Sequence, residues 1–187
     1  MSDPHAGSHD RRYQASAEKL RAPGRLALLE IPRVVSLCRD GADIRTVLDV
    51  GTGTGVFAEA FAAASLRVTG IDPQKGLLAV AREHAPAVSF AQGVAESLPF
   101  ADGTFDLVFL GHVLHETDDP ARALAEARRV ALKRVAVLEW PYVAEDRGPP
   151  LAHRLTPERI RELAEAAGFT RAERTELAHM HLYRLTP

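Results

Sequence analysis

The chain has 187 residues, 46% of them apolar and 26% charged, which fits one water-soluble globular domain of ordinary composition with a buried core. A formal charge of −2 lacks the basic excess of a dedicated nucleic-acid binder. The single cysteine, Cys38, excludes an internal disulfide framework and a cysteine-based metal cluster, and fits a reducing, most simply cytoplasmic, compartment.

Residues 1–12 are polar, with Pro and Gly and few large apolar side chains, and read as a disordered tail; they hold no apolar run of signal-peptide length. No stretch reaches the ~18 uninterrupted apolar residues of a membrane span, so no membrane insertion is expected. Residues 13–40 form a helical cover: 13–20 are moderately helical, and 25–30 and 33–38 make a helical pair with Pro32 at the first position of the second. From residue 45 strands and helices alternate. Strands are expected at 46–50, 66–71, 88–92, 105–110 and 134–140, and helices at 54–64, 74–84 and 120–130. Thr156 and Pro157 supply an N-cap and first position for a last helix, which Gly168 stops. Residues 169–177 and 179–185 are strand-like with no helix between them, hence an antiparallel hairpin. The pattern is a Rossmann-like, doubly wound α/β fold. Its sheet is seven-stranded and mostly parallel with an antiparallel last strand, helices lie on both faces, and residues 13–187 form a single domain.

Val47-Leu48-Asp49-Val50-Gly51-Thr52-Gly53-Thr54-Gly55 is the most informative stretch. A strand-type apolar run breaks into alternate glycines, which let a backbone turn sharply and approach a ligand, and a helix follows. Val56 stands where a strict dinucleotide loop has its third glycine. Asp49, two residues before the first glycine, is placed to accept from loop amides or a ligand ammonium. Asp72 ends the second strand about 20 residues on, where a carboxylate accepts from the two hydroxyls of a ribose.

With these residues the chain resembles the class I S-adenosylmethionine-dependent methyltransferases. Residues 47–55 look like their first motif, and Gly93-Val94-Ala95-Glu96-Ser97-Leu98-Pro99-Phe100-Ala101-Asp102-Gly103-Thr104-Phe105-Asp106 like the segment lining the adenine. Val113-Leu114-His115-Glu116-Thr117-Asp118-Asp119-Pro120 is similar to the Leu-His-His-x-x-Asp-Pro stretch after the fourth strand. The resemblance covers residues 45–140 and is nearest to the ubiquinone/menaquinone-biosynthesis-like small-molecule subgroup. There are three departures: Val94 replaces an adenine-binding aspartate, Glu116 replaces the second histidine, and residues 131–134 connect directly where relatives carry Lys-Pro-Gly-Gly.

The resemblance implies S-adenosyl-L-methionine as cofactor, S-adenosyl-L-homocysteine as product, and a small-molecule acceptor for a monomer or homodimer. It implies that Gly51, Thr52, Gly53 and Gly55 carry the methionine end, with Asp49 behind them. Asp72 would hold the ribose and Pro73 border the adenine, with Ala95 and Glu96 nearby. Gly111 would contribute backbone to the amino-acid end, and His112 would face the methyl group.

In-line methyl transfer needs alignment above all, and a base only where the nucleophile carries a proton. His112 and His115, three apart at the ligand edge, are the base candidates if they share one face of a helical turn. The bland alternative for His115 is a hydrogen bond to neighbouring backbone. Glu139 and Trp140 either contact substrate or fill the top of the sheet, and residues 146–150 either shape the acceptor pocket or connect to the last helix. His179 and His181, alternating on a strand, lack a third ligand, so no metal is expected. Two other readings stay open: a protein that binds the cofactor without catalysis, and a nicotinamide-dependent oxidoreductase.

Overall fold

A computed structural model describes residues 16–187; the tail and the first residues of the expected 13–20 helix lie outside the described part. Three helices, α1 (Ala17–Leu20), α2 (Pro23–Leu28) and α3 (Ile31–Arg39), precede β1 (Thr46–Val50). Then come α4 (Val56–Ala63), β2 (Arg67–Asp72), α5 (Lys75–His84), β3 (Ser89–Gln92) and β4 (Phe105–Gly111). A 3-10 turn at Leu114–Glu116 leads to α6 (Pro120–Val130), β5 (Ala131–Glu139), a second such turn at Leu151–His153, α7 (Pro157–Ala166), β6 (Arg171–Glu176) and β7 (His181–Thr186).

One seven-stranded sheet runs in the order β3-β2-β1-β4-β5-β7-β6. The pairs from β3 through β5 are parallel, and β7 is antiparallel to both β5 and β6. This is the Rossmann-like arrangement expected, with β7 as the reversed strand. Period-two alternation splits the core between the two faces. Leu48, Val50, Val108, Leu110, Val135 and Val137 pack with Leu124, Ile160 and Leu163 of α6 and α7. Val47, Leu107, Phe109, Ala136 and Leu138 pack with Val34, Phe57 and Phe61 of α3 and α4. The Phe57 and Phe61 rings sit 4.7 and 5.3 Å from that of Phe109, and fully burying a side chain such as Phe61 or Phe109 contributes about 1.5–3 kcal/mol.

The helix starts follow local chemistry. Asp119 caps α6 by accepting from the Arg122 amide at 3.0 Å, and Thr156 caps α7 by accepting from the Arg159 amide at 3.1 Å. Pro32 falls at the second position of α3, because Ile31 already belongs to it. The fifth strand begins three residues before its expected start: α6 ends at Val130 and β5 at once takes Ala131, so no connecting turn exists there. Asp106 braces this start of the sheet, accepting from the amides of Arg45 (2.9 Å) and Thr46 (3.1 Å) and pairing with Lys133 at 2.8 Å.

His179 does not continue a strand. Leu177 donates to the Met180 carbonyl at 2.9 Å, so residues 177–180 form the hairpin turn and the expected alternation of His179 with His181 is broken. No cluster of three or more His, Cys, Asp or Glu side chains with metal-holding geometry occurs among the described residues. No helix among them is long and apolar enough to cross a membrane.

Candidate functional site

The carboxyl ends of β1, β2, β4 and β5 open on one cavity of about 740 Å³. One wall comes from Gly51 and Gly53 after β1, Asp72, Pro73 and Gln74 after β2, and residues 93–96 after β3. The opposite wall carries Gly111, His112, Val113, His115, Glu116 and Trp140, together with Arg147 to Pro150 and His153. Leu20 and Leu28 of the N-terminal helices close the top. Arg21 ties that cover to the glycine loop, donating to the Thr54 carbonyl at 2.7 and 3.2 Å and to Glu59 at 3.0 Å.

Two of the glycines serve different ends. Gly51 has φ +64°, and a Cβ there would stand 2.3 Å from Val113 Cγ2, so its smallness lets Val113 pack onto the loop. Gly53 has φ +55°, and a Cβ there would meet only Leu20 Cδ1, at 3.6 Å; the loop backbone therefore faces open cavity at this point. The Gly53 amide donates to Asp72 Oδ2 at 3.0 Å and the Gln74 amide to Oδ1 at 2.8 Å. Burial raises the Asp72 carboxyl above its ordinary value, and these two amides offset part of that.

Asp49, Thr52 and Gly55 do not line the cavity. Asp49 is buried beneath the loop and accepts from the Thr52 hydroxyl at 2.6 Å. Its burial pushes the carboxyl up to about 7 against the pull of Thr52 and the Ala58 amide. Gly55, at φ +78°, starts α4, where a Cβ would come within 3.1 Å of Ala81. Ala95 is buried at the wall, and Glu96 Oε1 accepts from the Asp118 amide at 3.0 Å, which links the 93–96 segment to the turn bearing His115.

The two histidines differ sharply. His112 is left-handed, at φ +59°, and the 3-10 turn starts only at Leu114, so the pair does not share a helical face. The His112 ring stacks on Trp140 with centroids 5.3 Å apart and brings Nε2 to 3.1 Å from Met180 Sδ. Burial, with the nearby Arg25 and His115 charges, lowers its pKa well below the usual range, so it is a neutral ring. His115 Nδ1 instead lies 2.7 Å from Glu139 Oε2, and its backbone amide donates to Oε1 at 3.2 Å. Burial opposes its protonation, but the Glu139 carboxylate prevails and raises the ring above its ordinary pKa. Nε2 lies 3.7 Å from Glu116 Oε1. The partner of His115 is thus a side chain from β5 rather than neighbouring backbone. Glu139 is itself buried and absent from the cavity wall.

Trp140 stacks with His112 and also lies beneath the Arg154 guanidinium, whose carbon is 5.4 Å from the ring centroid. Arg147 belongs to the 146–150 loop expected near the acceptor pocket and lines the cavity, as does His153; His153 and Arg154 carry no motif that would single them out in the sequence.

A family described as "Methyltransferase domain" matches residues 48–137. A structure of an S-adenosylmethionine-dependent methyltransferase from Aquifex aeolicus superimposes with TM-score 0.78 and 26% identity, covering 90% of this chain and 95% of that one. The central part of the chain, residues 48–137, is thus similar to methyltransferase domains, and its fold matches that of an S-adenosylmethionine-dependent methyltransferase. A demethylmenaquinone methyltransferase of Renibacterium salmoninarum is 43% identical over 84 residues, 45% of this chain and 35% of that protein. An uncharacterized methyltransferase of Mycolicibacterium gilvum is 35% identical over 144 residues, 73% of this chain and 51% of that one. The chain therefore spans about a third to a half of the length of these curated methyltransferase relatives.

Proposed function

We propose that the protein binds S-adenosylmethionine against the Gly51–Asp72 wall of the cavity and transfers its methyl group to a small-molecule acceptor held between His115, Trp140 and residues 147–153. One observation carries the reading: the glycine loop, a carboxylate oriented by two backbone amides and a paired histidine all open on the same cavity. The residues fit the cofactor, since Gly53 leaves the loop backbone bare on the cavity side and Asp72 has its two oxygens fixed before any ligand arrives. When bound, the sulfonium supplies an electrophilic methyl carbon with the positive charge already built in.

Asp72 accepts from the ribose hydroxyls, and Pro73, Val94 and Ala95 border the adenine. Asp49 supports the loop from below through Thr52. His115 takes the acceptor's proton: Glu139 receives Nδ1–H, which fixes the tautomer and leaves Nε2 as the basic atom on the Glu116 side. Glu139 also stabilises the imidazolium that results. His112, neutral and stacked, serves as wall rather than base. The rest of the acceleration comes from aligning acceptor, carbon and sulfur.

The base implies an acceptor whose nucleophile sheds a proton, and the demethylmenaquinone relatives make a quinol or phenol the first compound class to try. The test is incubation with methyl-labelled S-adenosylmethionine and reduced naphthoquinones, alongside a fractionated metabolite extract. Label in an organic-extractable product is expected. Tight S-adenosylhomocysteine binding with no label in any fraction would convert the reading to a binding protein without catalysis. Binding of a nicotinamide dinucleotide in place of S-adenosylmethionine would overturn the cofactor.

A further inference from the structure

Residues 141–150 join β5 to the second 3-10 turn without any regular secondary structure, yet Arg147 to Pro150 line the cavity. A segment of this kind has backbone carbonyls that no ladder satisfies, and each needs a partner where water is excluded. Four of these carbonyls share one side chain as their partner. Arg154 Nε donates to the Pro149 carbonyl at 3.0 Å, and Nη1 donates to the carbonyls of Pro141 and Val143, both at 2.9 Å. Nη1 also reaches Glu145 Oε1 at 2.8 Å, and Nη2 donates to the Arg147 carbonyl. The side chain is 1% exposed. Its guanidinium carbon lies over the Trp140 ring, 5.4 Å from the centroid, and Gly148 packs against the same indole, where a Cβ would stand 2.7 Å from the ring.

We propose that Arg154 is the positioning residue of the acceptor wall: it gathers residues 141–149 by their carbonyls and clamps them onto Trp140, so that the far side of the cavity has one shape. The inference rests on the assignment of that half of the cavity to the acceptor. The role asks for arginine and not merely for positive charge. Only a planar fork with several fixed N–H directions can serve carbonyls at 141, 143, 147 and 149 at once, whereas a lysine ammonium reaches one or two. Arg154 touches neither the glycine loop nor Asp72 and does not itself line the cavity, so it acts through Trp140 and the loop.

Trp140 is the only tryptophan of the chain, which gives the clamp its own reporter. The experiment compares tryptophan emission and acrylamide quenching in wild type, Arg154→Lys, Arg154→Gln and Gly148→Ala, with S-adenosylhomocysteine affinity by calorimetry and far-ultraviolet circular dichroism on each. Gly148→Ala guards against a misfolded arginine variant, because it lifts the loop by steric contact at φ +76° while leaving Arg154 in place. Red-shifted emission and stronger quenching are expected in all three variants, Lys included, with cofactor affinity kept within a few fold. Emission and quenching equal to wild type in folded Arg154→Lys and Gly148→Ala would overturn the clamp. Loss of cofactor binding in the folded variants would overturn its confinement to the acceptor half. Failure of the wild type to bind S-adenosylhomocysteine would instead overturn the proposed function, since the tryptophan signal needs no ligand.

Discussion

One carboxylate holds both the main chain and the ring of His115: Glu139 Oε1 accepts from the backbone amide at 3.2 Å while Oε2 sits 2.7 Å from Nδ1. The two residues are brought together by the β4–β5 register, in which Gly111 lies opposite Leu138. The ring's pKa is raised in the folded chain, so the pair's contribution to stability is full below the unfolded value of about 6.5 and fades as pH rises through the folded value. Glu139→Gln should therefore destabilise most on the acid side, by about 1.5–3 kcal/mol for a charged hydrogen bond, and least at alkaline pH. It should also move the His115 ring titration, followed by NMR, to lower pH, and the acid limb of methyl transfer with it. A ring titration unchanged by the substitution would remove Glu139 from the mechanism.

Asp72 meets two backbone amides and faces the cavity, the geometry of a group waiting for two ribose hydroxyls. Asp72→Ala removes charge-assisted hydrogen bonds worth about 1.5–3 kcal/mol, so S-adenosylhomocysteine affinity should fall about 10- to 100-fold in calorimetry. The circular dichroism spectrum should remain that of the wild type, since no core contact is lost. Unchanged affinity would dismiss the ribose assignment.

The sheet is legible in the chain because its signals are local. Apolar runs at 47–50 and 107–110 announce central strands, and alternating glycines after Asp49 announce the loop. What escaped is pairing across sequence distance. Nothing near His115 points to Glu139, 24 positions on, because strand register brings them together. His112 carries no mark of its left-handed backbone, and its partner Met180 comes from the far hairpin, 68 positions away. Arg154 binds carbonyls, which every residue possesses, so no spacing of side chains could reveal it. Asp49 shows how far the motif reaches: its place allowed contact with the loop or with a ligand, and the structure puts it beneath the loop on the Thr52 hydroxyl.

Gly51 and Val113 make a steric pair that can be tested by exchange. Gly51→Ala adds a left-handed penalty of about 1–2 kcal/mol at φ +64° and drives a methyl to within 2.3 Å of Val113 Cγ2. The melting temperature should fall by more than the backbone penalty alone predicts. Val113→Ala in the same chain should recover the steric part and leave the backbone part, a positive coupling in a double-mutant cycle. Purely additive effects would mean that the loop and the Val113 turn do not press on one another.

Asp49 provides the contrast to Asp72. Its carboxyl is raised to about 7 by burial, whereas in the unfolded chain it titrates near 3.9. The folded state thus holds this proton more tightly, so stability owed to the group declines as pH rises from about 4 to about 7 and is level above that. Asp49→Asn removes the ionisation while keeping a group that can bond the Thr52 hydroxyl. Relative to wild type, the variant should gain stability across the same window, on the order of a few kcal/mol, in urea unfolding from about pH 5 to pH 8.5. Because Asp49 lies beneath the loop and not on the cavity wall, the variant should lose less S-adenosylhomocysteine affinity than Asp72→Ala. A larger loss at Asp49 would place its carboxylate in contact with the cofactor's ammonium.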